Sequence, residues 1–145
     1  MDDAAVRALF ERYERHFNRA LADADVDMAE TASLYAAEFI GSTPAGVMAG
    51  RNDDEFKQVM AQGYAHYRAI GTRKMAIRKV RITPIDEQHC LAQIDWTATY
   101  ARAGSADKDI DFEGHYLVRQ SGNEPKVFGW MAGDEEARLR ERGIV

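Results

Sequence analysis

The sequence holds a single cysteine in 145 residues, Cys90. A lone thiol can neither close an intrachain disulfide nor build a thiolate zinc cluster. The four histidines, His16, His66, His89 and His115, include no pair at metal-ligand spacing such as four apart on one helix. No metal and no cofactor is therefore expected. Also missing are a glycine-rich phosphate loop, a Gly-x-Ser-x-Gly elbow and any Cys–His arrangement, so Cys90 reads as a small core residue. No apolar run approaches membrane-spanning length, and the acidic start Met1-Asp2-Asp3 does not resemble a signal peptide. The expectation is a cytoplasmic protein without membrane contact. A formal net charge of −5 argues against nucleic acid, which rewards a basic stripe. Arg73-Lys74, Arg78-Lys79 and Arg81 do cluster, but without interleaved exposed aromatics, and read as a solvated strand face.

What is present is a pair of long alternating segments. Cys90 to Tyr100 places Cys90, Ala92, Ile94, Trp96, Ala98 and Tyr100 on one face. Ile110 to Val118 places Ile110, Phe112, Gly114, Tyr116 and Val118 on its counterpart. A period of two sustained this long marks antiparallel strands with one buried face. By the same parity Asp95, Asp111, Glu113 and His115 point outward. A chain of this length forms one domain, spanning residues 1–145, and buries about 68–70% of its unfolded surface without needing a staple.

Upstream, Val6, Leu9, Phe10, Tyr13, Phe17, Ala20 and Leu21 make a helical stripe over Asp3 to Ala22. His16 sits at the margin of that stripe. Asp27 with Glu30 opens a short helix predicted to run from Met28 to Ala36. Glu38 to Ile40 is extended, Gly41 to Gly46 carries turn chemistry, and Val47 to Ala49 returns as a short strand. Asn52 with Glu55 is read as the cap of a third helix, whose apolar face is Phe56, Val59, Met60, Gly63, Tyr64, Tyr67 and Ile70. His66 falls on the opposite, exposed side. Gly71 suits a left-handed helix end. The strand from Arg73 to Ile85 changes phase between Met75/Ile77 and Val80/Ile82, which predicts a β-bulge at Arg78-Lys79. A last strand, Lys126 to Ala132, precedes a charged terminal helix capped by Asp134. The final strand leaves the side of Trp130 open, because both of its faces are apolar.

Helices grouped before a strand meander give an α+β domain: a curved antiparallel sheet of four long strands and a short hairpin, packed against three N-terminal helices, with a short C-terminal helix. This order resembles the nuclear transport factor two-like superfamily, specifically its SnoaL-like branch. The resemblance is carried by Ala32-Ser33-Leu34-Tyr35-Ala36-Ala37-Glu38-Phe39, by Gly50-Arg51, and by Ile94-Asp95-Trp96-Thr97-Ala98-Thr99-Tyr100. It implies a cone with one apolar pocket, and a homodimer formed through the outer sheet face. Activities among such folds range from isomerases, cyclases and dehydratases to binding and scaffolding, so the fold fixes no function.

The ketosteroid isomerases within that superfamily use a carboxylate base, a tyrosine and a protonated aspartate. Tyr13 matches the tyrosine, five residues before Asn18. Thr43 occupies the place of the base, in Ser42-Thr43-Pro44-Ala45-Gly46, and cannot abstract a carbon-bound proton near neutral pH. The second oxyanion donor falls at Gly114, which has no side chain. Two of the three groups are missing. The leading expectation is thus a small-molecule-binding domain for an apolar or aromatic ligand. Its pocket would be lined by Tyr13, Phe17, Tyr64, Tyr67, Trp96, Phe112, Tyr116 and Trp130. An isomerase, cyclase or dehydratase using Tyr13 and His16 is the first alternative, and a homodimeric interaction module the second.

Overall fold

The computed structural model describes residues 1–145. Helix α1 (Asp3–Ala22) and the short α2 (Met28–Ala32) lead into a hairpin of β1 (Tyr35–Thr43) and β2 (Gly46–Arg51). Helix α3 (Asp54–Ala69) follows, then β3 (Thr72–Pro84), β4 (His89–Tyr100), β5 (Lys108–Ser121), β6 (Glu124–Met131) and α4 (Glu135–Glu141). The six strands form one curved, unclosed sheet in the order β2-β1-β6-β5-β4-β3. All neighbours are antiparallel except β1 and β6, which run parallel.

Helix α1 begins where the Asp2 carboxylate accepts from Ala4 N at 3.0 Å, satisfying one orphan amide. Its stripe is buried at Val6, Leu9, Phe10, Phe17, Ala20 and Leu21. The helix also closes an open sheet edge. β3 is an edge strand, whose unpaired main-chain groups would otherwise invite another chain. The Asn18 amide donates to Met75 O at 2.7 Å and accepts from Met75 N at 2.8 Å. Glu14 Oε2 accepts from Ile77 N at 2.5 Å, and Arg7 donates to Val80 O at 3.2 Å. Three polar side chains of one helix thus stand in for a seventh strand.

The phase change in β3 is resolved as expected. The register slips between Ile77 and Lys79, and Arg78 swings out to donate to Trp96 O at 3.1 Å. Met75, Ile77, Val80 and Ile82 thereby all pack on the core. Alternation in β4 and β5 holds except at Asp95, which is buried between Ile94 and Trp96: Cys90, Ala92, Ile94, Trp96, Ala98 and Tyr100 are buried, as are Ile110 and Val118. Gly71 has φ +91° and its carbonyl accepts from Ala101 N, a conformation that favours glycine.

Three boundaries differ from expectation. α2 ends at Ala32 rather than Ala36, because Tyr35 already pairs with Val127 and Val127 N donates to Leu34 O at 2.9 Å. Long-range pairing with β6 overrides the local helical pattern. Asp53, not Asn52, caps α3 by accepting from Phe56 N at 2.9 Å. The Asn52 amide is occupied elsewhere, donating to Ala32 O and Tyr35 O. Gly41 and Ser42 belong to β1 rather than to a turn. A Cβ at Gly41 would lie 2.8 Å from the Trp130 ring, and one at Gly50 would lie 2.5 Å from Phe39. Gly41 and Gly50 make room for aromatic rings, while Gly46, with φ +131°, serves the chain reversal. α3 itself buries no residue fully, and Val59, expected on its packed face, is 55% exposed.

Candidate functional site

A cavity of about 320 Å³ lies between the inner sheet face, α1, the end of α3 and α4. That is the volume of roughly ten liquid waters and sits at the small end of ligand pockets. α1 contributes Tyr13 and Phe17, β4 contributes Trp96 and Tyr100, and β5 contributes Phe112 and Tyr116. Tyr35 enters from β1, Tyr67 from α3, and Glu135 and Arg138 from α4. Trp130 faces inward, which settles its side: it lines the cavity and stacks edge-on against Tyr35 at 5.8 Å. Tyr64, expected among the lining residues, stands behind Phe17, ring to ring at 5.0 Å and 88°, and does not reach the cavity.

The cavity's polar atoms are mainly phenols. Trp96 Nε1 donates to the Tyr116 hydroxyl at 3.3 Å. An indole can only donate, so Tyr116 accepts here and its own proton is free for another acceptor. Tyr35 donates to Tyr13 at 3.3 Å, and the Tyr13 hydroxyl in turn faces that of Tyr116 as a hydrogen-bonding neighbour. Burial raises the pKa of Tyr13, Tyr35 and Tyr116, with neighbouring phenols adding to the rise at Tyr13. These groups stay protonated near neutral pH and act as donors, not bases.

Gly114, where a second oxyanion donor was sought, has a physical reason to be glycine. A Cβ there would lie 2.7 Å from the Tyr116 hydroxyl and 2.8 Å from its ring. The phenol of Tyr116 lies back over Gly114 and fills the space a side chain would take. A hydroxyl donor is therefore supplied at this point by the residue two positions on. Thr43, in place of the carboxylate base, borders the cavity, and its Oγ1 accepts from Ala45 N.

The mouth is charged. Tyr67 donates to Glu135 Oε2 at 3.1 Å, and burial followed by that carboxylate raises the phenol's pKa. The Arg138 guanidinium lies 4.5 Å above the Phe112 ring, a cation–π contact. Its Nε is shielded from solvent without a hydrogen-bond partner. Sequence reasoning missed Tyr35, Glu135 and Arg138, while Tyr100 lies on the inner face as its parity implies. The spacing of Glu135 and Arg138 puts both on one face of α4, a signal that was readable. Tyr35 was hidden by its assignment to a helix.

His16 does not join Tyr13. It is 5% exposed and lines a separate groove on the other side of α1, with Nδ1 3.3 Å from Glu30 Oε2. Burial lowers its pKa against the opposing pull of Glu30. Tyr13 and His16 line different cavities, so the structure does not assemble them into one acid–base site. Of the residues read as outward, Asp111, Glu113 and His115 keep exposed side chains, while Asp95 is buried. Asp95 is bound by Arg81 at 2.5 Å, Asp111 accepts from Thr97 at 2.6 Å, and Glu113 accepts from Gln93 at 3.0 Å. Glu113 and His115, on either side of Gly114, nonetheless also border the cavity. No three His, Cys, Asp or Glu side chains converge closely enough to hold a metal ion, and no helix is long and apolar enough to cross a membrane.

Comparison with known proteins places this geometry in a family. Residues 2–135 match the model of a family described as NTF2-like protein (DUF6841). The chain belongs to this NTF2-like family. Among solved structures, it is similar to an NTF2-like protein with a cystatin-like fold from Novosphingobium aromaticivorans. The TM-score is 0.70 at 11% identity, covering 99% of this chain and 88% of that one. A ketosteroid isomerase-like protein from Erwinia carotovora atroseptica aligns with a TM-score of 0.62 at 16% identity, covering 90% and 93%. A putative scytalone dehydratase, also from N. aromaticivorans, gives 0.65 at 15% identity, covering 88% and 80%. At these identities the likeness establishes the NTF2-like fold alone. No curated protein matches the chain by sequence.

Proposed function

We propose that this NTF2-like chain is a small-molecule-binding domain whose cavity takes a flat aromatic or apolar body carrying an oxygen acceptor. The observation that carries the reading is the run of phenols Tyr35, Tyr13 and Tyr116 inside an aromatic enclosure, at whose end the Tyr116 hydroxyl proton has no acceptor. Unpaired donors in a low-dielectric site favour a ligand that completes them. Arg138, without an acceptor of its own at the mouth, favours ligands bearing an acid group there. The test is calorimetric titration with aromatic carboxylic acids and their neutral amides. Saturable binding that prefers the acid, and that weakens in Arg138→Gln, supports the reading. An absence of binding across one- and two-ring acids contradicts it.

A catalytic reading is favoured by one observation: Glu135 brings a carboxylate to the cavity that holds the Tyr13 and Tyr116 donors. Proton transfer next to a carbonyl would then use Glu135 as base and the phenols as oxyanion donors. Deuterium exchange into a bound ketone, abolished in Glu135→Gln, would separate this from simple binding. We also propose that the outer sheet face pairs with a second copy of the chain. There Ile40 and Met131 are 46% and 44% exposed and border Leu117 and Gly129. Light scattering showing a monomer at high concentration overturns that pairing.

A further inference from the structure

Helix α1 carries a second constellation, on the side turned away from the cavity. Arg12, Arg15, His16 and Arg19 line a groove of about 300 Å³ whose opposite wall is Glu30, Ser33 and Leu34, from α2 and the start of β1. Positions 12, 15, 16 and 19 form one ridge of an α-helix, because residues three and four apart are neighbours on its surface. Three like charges on one ridge repel, and a single carboxylate, Glu30, faces them. In a chain of net charge −5, this groove alone carries an excess of two positive charges among its lining residues.

The cations are incompletely satisfied. Arg19 Nη1 binds Glu30 Oε2 at 2.6 Å. Neither Arg12 nor Arg15 has a carboxylate within ion-pair distance, and Arg12 Nε is shielded from solvent with no acceptor. His16, 5% exposed, leaves both ring nitrogens without a hydrogen-bond partner although Nδ1 lies 3.3 Å from Glu30. A buried donor without an acceptor is costly. Guanidinium forks beside such a group are the usual means of holding a planar or tetrahedral oxyanion. Glu30 marks where an oxygen can sit, since one of its oxygens approaches both Arg19 and His16. Its side chain is 59% exposed, so it can yield that place.

We propose that this groove is a binding site for a phosphate monoester of a small polar molecule, distinct from the aromatic cavity. A phosphate group carries about −1.5 to −2 charges and three strong acceptor oxygens, which matches the excess charge and the three arginines. Leu34 is the single apolar residue lining the groove, which favours a polar body on the phosphate rather than an acyl or aromatic one. Arg12 and Arg15 would supply forks to the phosphoryl oxygens, and His16 one ring N–H. Glu30 competes with the ligand for Arg19.

The experiment is calorimetric titration of the full chain at low ionic strength with inorganic phosphate and, separately, ribose 5-phosphate. Both are expected to bind saturably, with the monoester tighter. Equal affinities would identify free phosphate as the sufficient ligand and still support the site. Arg12→Gln and Arg15→Gln should each weaken binding by about tenfold, the loss of a charge-assisted pair. Glu30→Gln should tighten it by removing the internal competitor. Arg51→Gln, an exposed arginine elsewhere, should leave affinity unchanged. Unfolding midpoints within a few degrees of the parent establish that each variant is folded. No saturable binding to either the parent or Glu30→Gln overturns the proposal. So does an equal loss in Arg51→Gln, which would mean diffuse attraction to any surface arginine.

Discussion

The two sides of helix α1 are built on opposite principles. Toward the sheet, Tyr13 and Phe17 face a cavity in which rings meet rings and most polar atoms are phenol hydroxyls. Toward α2, Arg12, Arg15 and His16 face a groove rich in charge and open to water. One helix thus borders an aromatic recognition surface on one face and a charged one on another. The difference teaches where binding specificity can be stored. In the cavity, shape is fixed by packing, since Trp96 is fully buried and Gly114 and Gly41 are moulded to the rings of Tyr116 and Trp130. In the groove, nothing is moulded, and selectivity can come only from charge. Substitutions on the cavity side should therefore cost stability, and those on the groove side should not.

The largest effect is expected from Trp96→Ala. It removes a fully buried ring that touches Tyr13 and donates to Tyr116. A loss of about 3–5 kcal/mol in unfolding free energy is expected, measured by urea denaturation. Gly114→Ala comes next, at about 1–3 kcal/mol, because the new Cβ must displace the Tyr116 phenol. It should also abolish ligand binding in the cavity, an outcome that Trp96→Ala cannot isolate. Tyr13→Phe keeps the ring and removes the hydroxyl. Stability should change by less than about 1.5 kcal/mol, while affinity for a ligand with an oxygen acceptor falls roughly tenfold, read by calorimetry.

Smaller still is the pH effect of His16, which bridges the comparison because it is buried yet faces the groove. Its pKa in the folded chain lies below the free value of 6.5. The folded state therefore binds this proton less readily than the unfolded chain does. The resulting stability is full above the free value and is lost as pH falls through it toward the folded pKa. Unfolding midpoints should drop between pH 7 and pH 5, and His16→Gln should flatten that drop. The smallest effect is Arg12→Gln, whose unfolding free energy should stay within about 0.5 kcal/mol of the parent. A large loss there would erase the contrast between the two sides.

Much of this architecture is legible in the residues, and the limits have physical causes. The faces of β4 and β5 follow from strict alternation, so Trp96, Phe112 and Tyr116 were placed inward and Asp95 outward without coordinates. The bulge at Arg78 was legible because a phase change in one strand has few other solutions. Tyr35 was misassigned because its local pattern is helical, and only pairing with Val127 makes it a strand. Glu135 and Arg138 were passed over because a charged terminal helix reads as solvated; its position over the cavity depends on Leu139 and Ile144 docking into the core. Tyr13 and His16 were coupled because three residues along a helix brings them close on a ridge. A helix surface, however, divides what it borders, and these two side chains fall on different sides of the divide.

The central claim is that the aromatic cavity, with its run of buried phenols, is the site of small-molecule binding. The most direct measurement is titration of the ¹⁵N-labelled chain with an aromatic carboxylic acid, following the indole N–H resonances of Trp96 and Trp130. The account predicts a saturable shift of the Trp96 resonance, which Tyr13→Phe and Arg138→Gln both weaken. Saturable binding that leaves both indole resonances unmoved would place the ligand elsewhere and contradict it.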